Sequence, residues 1–389
     1  MSAARRVLQV HNGQLTRGGS DTVIAHEAHL LRSAGLEVEQ YILPATASPG
    51  LAGAIKPTYN RAAMKAVADR IAAVRPDVVH VHTPFPLLSP WVFRTARSGG
   101  CATVGTLHSY RYSCIAATAI RDGAECTDCF GRTVKWPGVV HRCYHDSAAA
   151  SGALTLSLGV HKGLGTFRHH VDRFIALSDF ARAAAIRDGL PAAKVVVKPN
   201  SVPDPQPDLG VVGDGVLFMG RLVPQKGVGH LLEAWRRAGD TLPPLVIAGD
   251  GPMRAEVEAA AATVNISFLG WLEESDLEAH LARCRLVVVP SLWQEGGQPL
   301  TMIRALAAGR RSVVPDLANF GGPHVDSGAV RTYATGDADS LAAAVREAYD
   351  GAGDRSIREA ARSAYAAAYS DPANQQALLR VYADALGQR

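Results

Sequence analysis

Val216-Leu217-Phe218-Met219 followed by Gly220-Arg221-Leu222-Val223-Pro224-Gln225-Lys226-Gly227 is the stretch that decides the architecture. Four apolar residues suit a strand buried on both faces, the glycine closes it, and Gly229–Ala238 continues as a helix pattern. Arg221 and Lys226 lie five residues apart on this glycine-bounded turn, so both can face one ligand. A diphosphate leaving group needs such a pair, because its growing negative charge must be met without a proton at hand. Taken alone, the octet reads as a solvated basic turn.

Its neighbours argue otherwise, for the same rhythm recurs in both directions. Downstream, Leu245–Ala248, Ile266–Leu269, Leu286–Val289 and Ser312–Val314 read as strands, separated by helix patterns at Met253–Val264, Glu274–Arg283 and Leu300–Ala308. Upstream, Val7–Val10, Val38–Leu43, Val78–Val81, Ala102–Leu107 and Phe174–Leu177 are strand-like, with helices such as Thr22–Ser33 and Arg61–Val74 between them. Such alternation predicts two doubly wound, Rossmann-like α/β domains, whose ligands bind at the carboxyl ends of the strands. The joint is the polar, proline-rich Lys198-Pro199-Asn200 through Pro203, Pro205 and Pro207. The expected division is 1–205, 206–372 and a last helix in 373–389 that crosses back to the first domain.

The strand ends carry the chemistry. Ala248-Gly249-Asp250-Gly251-Pro252 offers two glycines that let a backbone approach a ligand, with Asp250 alternatively capping the next helix. Phe268-Leu269-Gly270-Trp271-Leu272 can present backbone groups to a planar base. Val289-Pro290-Ser291 leads into Trp293-Gln294-Glu295-Gly296-Gly297-Gln298-Pro299-Leu300, where Glu295 can accept from sugar hydroxyls and the helix start favours phosphate oxygens. In contrast, the first strand runs into His11-Asn12-Gly13 with no Gly-x-Gly-x-x-Gly turn, which disfavours a dinucleotide dehydrogenase.

In this order the segments resemble the family 4 retaining glycosyltransferases of GT-B fold, in a bacterial type with a cysteine cluster in the first domain. The resemblance runs through Gly18-Gly19, His80-Val81-His82, Thr106-Leu107-His108, Ser178 with Phe180, the Lys198-Pro199-Asn200 joint and all four later turns. It implies transfer of a sugar from a nucleotide diphosphate sugar with retention, no catalytic metal, and a departing phosphate oxygen that helps take the acceptor proton. Arg221 and Lys226 are implied to hold the diphosphate, His108 to sit beside the transferring sugar and Glu295 to contact its hydroxyls. Gly18 and Gly19 are implied to lie against the donor phosphate or acceptor, and Gly270 and Trp271 near the nucleobase. Gly220, Gly249, Gly251, Gly297, Gln298, Pro299, Leu300 and Arg304 complete the donor side. The implied acceptor is a small molecule, natural product or polysaccharide intermediate, held between the loops at Gly13–Gly19, Thr83–Leu88 and His108–Cys143.

One departure stands out. The family pattern has a second glutamate just before the segment Ala305-Leu306-Ala307-Ala308-Gly309, where this chain has Arg304, and Glu295 is set nine positions ahead as though one glycine were inserted. Arginine has no acceptor for ribose hydroxyls. It donates to phosphate or ribose oxygens, or turns away, or marks a weak binder. The alternatives are therefore a sugar-nucleotide epimerase of the same fold and a nucleotide-sugar-binding protein without catalysis.

Cys114, Cys126, Cys129 and Cys143 crowd one loop-rich stretch at about 110–145. The Cys-x-x-Cys has knuckle spacing, which a structural zinc with four thiolates would use; a set of buried thiols is the plainer reading. His141 and His145 are spare ligands, while Cys101 and Cys284 read as buried. His80 and His82 share a strand face but show no third ligand, so packing or acceptor contact is expected, and His169-His170 reads as surface.

With 389 residues, 47% apolar and 20% charged, the composition is that of a globular enzyme without a membrane span or signal peptide, expected in the cytoplasm. The charge is uneven: +10 over residues 1–200 and −6 over the rest. A basic first half suits an anionic ligand or a peripheral membrane contact, although two opposite domains facing across a cleft explain it as well. The basic residues form no run, and no nucleic-acid partner is expected.

Overall fold

The computed structural model describes residues 4–13, 19–44 and 56–387. The first sheet contains β1 (Arg6–Asn12), β2 (Glu37–Leu43), β3 (Val78–Thr83) and β4 (Ala102–Leu107). A hairpin of β5 (Ile120–Arg121) and β6 (Ala124–Glu125) follows, before β7 (Arg173–Ala176) and β8 (Val195–Val197) complete that sheet. The second sheet comprises β9 (Val216–Met219), β10 (Leu245–Ala248), β11 (Ile266–Gly270), β12 (Leu286–Val288), β13 (Arg311–Pro315) and β14 (Val330–Tyr333). Both large sheets are parallel, in the orders β2-β1-β3-β4-β7-β8 and β11-β10-β9-β12-β13-β14.

The central strands are apolar on both faces because helices cover both. β4 is buried throughout, and so is β9. Edge strand β14 breaks the apolar pattern because Arg331 and Thr332 are not buried, while β8 is apolar but only three valines long. The strand order reverses between β1 and β3 in the first sheet, and between β9 and β12 in the second. A crevice opens at each reversal, so the turns after β9 and β12 flank the second domain's natural ligand position.

Two stretches of chain cross between the domains. One is the joint after β8. The other lies between helix Arg355–Ala368, whose Ala361 and Tyr365 pack under the second sheet, and the last helix, Asp371–Leu386. That last helix buries Leu378, Val381, Tyr382 and Ala385 against Val7, Val78, Val104 and Ile175 of the first sheet. The crossings run side by side, with the Tyr365 hydroxyl donating to the Val202 carbonyl at 2.9 Å. Among the described residues, no helix is long and apolar enough to cross a membrane.

Tyr382 is fully buried, and its hydroxyl lies 2.9 Å from His80 Nδ1. Tyr382→Ala is expected to destabilise the protein by about 3–5 kcal/mol through the cavity it leaves, and Tyr382→Phe by about 1 kcal/mol. The two are compared through the midpoint of urea unfolding. Equal losses would mean that the hydroxyl, not the ring, anchors the helix.

Candidate active site

The turns after β9, β10 and β12 are fastened to one another through their glycines. Gly227 has φ +73°, and a Cβ on it would lie 1.8 Å from the Pro290 carbonyl oxygen. Leu292 N donates to the Gln225 carbonyl across the same contact at 3.0 Å. Gly249 and Gly251 press against the carbonyls of Gly220 and Leu222, where a Cβ would come within 1.9 and 2.5 Å. The absent side chains at 249 and 251 thus let turn pack on turn; the close partner is protein backbone rather than a ligand. Asp250 does not cap the following helix: its Oδ1 accepts from Gly251 N at 2.9 Å, and the helix Arg254–Ala261 has no side-chain cap.

This fastening sets Lys226 beside the β12 turn. Its Nζ lies 2.6 Å from Glu295 Oε1, which also accepts from the Ser291 hydroxyl at 2.9 Å. Arg221 is exposed on the same turn and makes no side-chain hydrogen bond or ion pair among the described residues. Gly270 has open space around it and Trp271 is exposed, so the β11 turn is the unobstructed wall of the site.

The loop that carries Glu295 docks on the first domain. A Cβ on Gly296 would approach the His108 carbonyl to 2.9 Å, and one on Gly297 would meet Leu177 Cβ at 2.6 Å. Ser178 donates to the Gly296 carbonyl at 3.0 Å, and the Tyr110 hydroxyl to the Glu295 carbonyl at 2.8 Å. Gln298, Pro299 and Leu300 then enter the helix Leu300–Ala307, held to β9 by Thr301 Oγ1 donating to the Met219 carbonyl at 3.1 Å. Gly19 opens the helix Gly19–Ser33 across the cleft, and a Cβ on it would stand 4.0 Å from Leu300 Cδ1. Two helix N-termini therefore face one place, which favours an anion. Gly18 lies outside the described residues.

Behind His108 sits a buried charge cluster. Glu27 Oε1 pairs with Lys198 Nζ at 2.8 Å, while Glu27 Oε2 lies 3.6 Å from His82 Nε2. His82 Nδ1 is 3.1 Å from His108 Nε2. The carboxylate favours the proton on His82 Nε2, so His82 Nδ1 accepts from His108 and leaves His108 Nδ1 as an acceptor. Burial, ahead of the nearby charges, pushes His108 down to about 4. His80 and His82 are also held well below 6.5, burial again leading, and His11, 3.1 Å from Asp21, is lowered too. Burial alone would raise Glu27, but Lys198 and then His82 hold it below its ordinary value.

The chain's two halves match two family models: Glycosyltransferase Family 4 over residues 4–204, and Glycosyl transferases group 1 over residues 213–350. The chain belongs to glycosyltransferase family 4. An uncharacterized glycosyltransferase of Bacillus subtilis is 28% identical over 157 residues, covering 38% of this chain and 43% of that one. The alpha-D-kanosaminyltransferase of Streptomyces kanamyceticus is 33% identical over 105 residues, covering 24% of this chain and 27% of that one. The chain thus spans less than half the length of these curated relatives.

Solved structures match along the whole length. HepE of Anabaena, in complex with UDP, has a TM-score of 0.65 at 15% identity, covering 97% of this chain and 100% of that one. A glycosyltransferase from Rickettsia africae has a TM-score of 0.70 at 14% identity, with 99% of each chain covered. The fold of this family 4 member is therefore GT-B.

Against the family pattern, Arg304 turns to a neighbour: its guanidinium pairs with Glu274, at the start of the helix Glu274–Arg283. Arg304 is mostly buried there and Glu274 mostly exposed. Glu27 is the group that sequence reasoning missed. It completes, with His80 and His82, a trio of ligand-bearing atoms within 4.8 Å of one another. The trio is a poor metal site, since Lys198 already occupies Glu27, and His80 is engaged by Tyr382 and, at 2.7 Å, by Thr106. Its position, eight residues after Gly19 on an apolar helix face, is the one signal that a buried acid waits for a partner.

The histidines bind protons less readily folded than unfolded, so between the unfolded value of 6.5 and the lower folded ones the unfolded chain holds more protons. Their contribution to stability is complete above that value and is lost as pH falls; Glu27, held below 4.5, adds a loss in the same direction at lower pH. The urea midpoint is expected to drop between about pH 7.5 and about pH 5. A flat profile would mean that the histidines take up protons equally in the folded and the unfolded chain.

Proposed function

We propose that this protein moves a sugar from a nucleotide diphosphate sugar to an acceptor on the first domain, with retention and without a catalytic metal. One observation carries the reading: Lys226 and Glu295, from turns of two different strands, form a 2.6 Å pair beside the unengaged Arg221. The facing helix starts at Gly19 and Leu300 support an anion at the same place.

In the free protein Lys226 is neutralised by Glu295. A diphosphate carries more charge than one carboxylate and is met by Arg221 as well, so it takes Lys226 over. Glu295 keeps its bond from Ser291 and gains an oxygen for a sugar hydroxyl. As the bond to the anomeric carbon breaks, charge grows on the phosphate oxygen, and the two cations stabilise that charge more strongly than the ground state. The same oxygen helps take the acceptor proton on the face it leaves, so no carboxylate base is required. Neutral His108, with Nδ1 free to accept, suits a hydroxyl of the transferring sugar.

The names of relatives give the range of partners. HepE is seen with UDP, and a starch synthase of Arabidopsis thaliana with ADP and acarbose. Two relatives in Streptomyces kanamyceticus are named alpha-D-kanosaminyltransferase and 2-deoxystreptamine glucosyltransferase. A small-molecule, natural-product or polysaccharide-intermediate acceptor fits this range. The reading as a binder without catalysis rests on Arg304 standing where the family pattern has a glutamate; Glu274 compensates the charge of that arginine, and transfer of sugar to an acceptor decides between the two readings.

Thermal-shift measurements with uridine, adenosine, guanosine and thymidine diphosphates and their sugars test the donor class. Stabilisation by one of them is expected, by about 3 kcal/mol at a hundredfold excess over its Kd, and indifference to all would refute the proposal. Lys226→Ala is expected to lower the rate of transfer by about two to three orders of magnitude. A near-normal rate would remove Lys226 from the leaving-group site.

A further inference from the structure

Residues 110–146 hold little regular structure beyond the β5–β6 hairpin and a short helix, Trp136–Val140. A long irregular segment of this kind has few ladder hydrogen bonds to fix its path, although Tyr110, Ile115 and Ala119 reach the first domain's core. Its turns are nevertheless closely set. A Cβ on Gly138 would come within 2.7 Å of Ile115 Cγ1, so the short helix sits directly on the turn at Cys114. Cys143 N donates to the Gly138 carbonyl at 2.9 Å, and Cys126 N to the Ala119 carbonyl at 2.8 Å.

These approaches bring all four cysteines of the segment, Cys114, Cys126, Cys129 and Cys143, to the wall of one cavity, and none is in a disulfide. The cavity measures about 10 Å³, room for one ion or water and for no organic molecule. Neither His141 nor His145 lines it.

The charges around it point the same way. The Arg111 guanidinium is partly buried, donates to the Ile115 carbonyl and lies 4.9 Å from the centre of the Tyr144 ring, with no carboxylate partner among the described residues. Arg121 lines the cavity but is paired at 2.7 Å with Asp128, which lines it too, and Lys135, whose Nζ donates to the Cys129 carbonyl at 2.8 Å, is paired with the buried Asp188. Of these three cations Arg111 is the one left without a carboxylate among the described residues, and a buried guanidinium without an anion is costly. Four thiolates on a divalent ion carry a net charge of about −2 and would supply that anion.

We propose that Cys114, Cys126, Cys129 and Cys143 form a closed, structural zinc site that staples the turns of this insertion to one another. Among the described residues no three of their sulfurs lie within 4.8 Å of one another. Tetrahedral bonds of about 2.3 Å would hold them about 3.8 Å apart, so the ion draws in thiols that already share a cavity. Each thiol gives up its proton on binding, and the site has no open position for chemistry. Tyr110, at the start of the segment, bonds to the Glu295 carbonyl, so the staple also steadies the acceptor side of the cleft. The inference stands apart from the donor reading.

The test is metal analysis of the full chain, expressed in zinc-containing medium without a metal-binding tag. About one zinc per chain is expected, lost in Cys126→Ser and Cys129→Ser and kept in Cys101→Ser and Cys284→Ser. Because ligand variants can fail to fold, the wild-type protein is also stripped with a chelator and loaded with cobalt(II) alone. Thiolate-to-cobalt charge-transfer and tetrahedral ligand-field bands, abolished by zinc, are expected. Less than about a tenth of a zinc per chain, iron in its place, full zinc in Cys126→Ser, or cobalt without charge-transfer bands would each overturn the assignment.

Discussion

The cleft depends on the contact that Gly296 and Gly297 make with the first domain. The carbonyl of His108 and the side chain of Leu177 stand where Cβ atoms would be. A substituted residue at either position would push the β12 turn off the first domain. That turn carries Glu295, and three residues beyond the glycines the helix starting at Leu300 aims its free N–H groups toward Gly19. The glycine pair thereby sets both the width of the cleft and the direction of this helix's dipole. The glycine that lengthens the loop relative to the family pattern acts as part of the interdomain contact.

A second constraint holds the other side of the cleft. Lys198 belongs to the joint, Glu27 to the helix that begins at Gly19, and Asn374 to the last helix, and Lys198 Nζ reaches both partners at 2.8 Å. A buried pair of this kind contributes little net stability, because desolvation offsets its attraction, but breaking one side leaves a buried charge alone. It therefore enforces one arrangement of joint and last helix. The same carboxylate orients His82, and through it His108. The setting of the histidine at the cleft is thus tied to the path of the chain between the domains.

The parallel sheets were legible because central strands of such sheets must be apolar on both faces, which leaves runs such as Val216–Met219 that no surface segment would carry. Edge strand β14, with Arg331 and Thr332, lacks that requirement, and β8, three valines before the joint, is too short to stand out. Arg221, Lys226 and Glu295 could be read as a group because turns after successive parallel strands end on one edge, so four strand ends in order imply one site. Glu27, His82 and Lys198 could not be joined that way: they come from a helix, a strand and a joint, up to 171 positions apart in the sequence. The glycines at 249 and 251 were legible as close approaches but not as to what approached, since a ligand and a neighbouring carbonyl make the same demand on the residue.

Arg304 shows what a charge of the wrong sign means once its surroundings are known. An arginine added to Arg221 and Lys226 would make a donor site with three cations, strongly attractive to any anion and poor at choosing among them. Two pairings prevent this. Glu274 meets Arg304 from the neighbouring helix, and Glu295 meets Lys226, so of these three cations Arg221 is the one that presents uncompensated charge to an arriving ligand. A single phosphate or carboxylate then gains little from displacing Glu295, because it exchanges one ion pair for another of similar strength. A diphosphate reaches Arg221 and Lys226 together, and only that double contact offsets the loss of the Glu295 pair. Within the proposed function, selectivity for a diphosphate over simpler anions would follow from the resting ion pair, and the glutamate it releases would be free for a sugar hydroxyl.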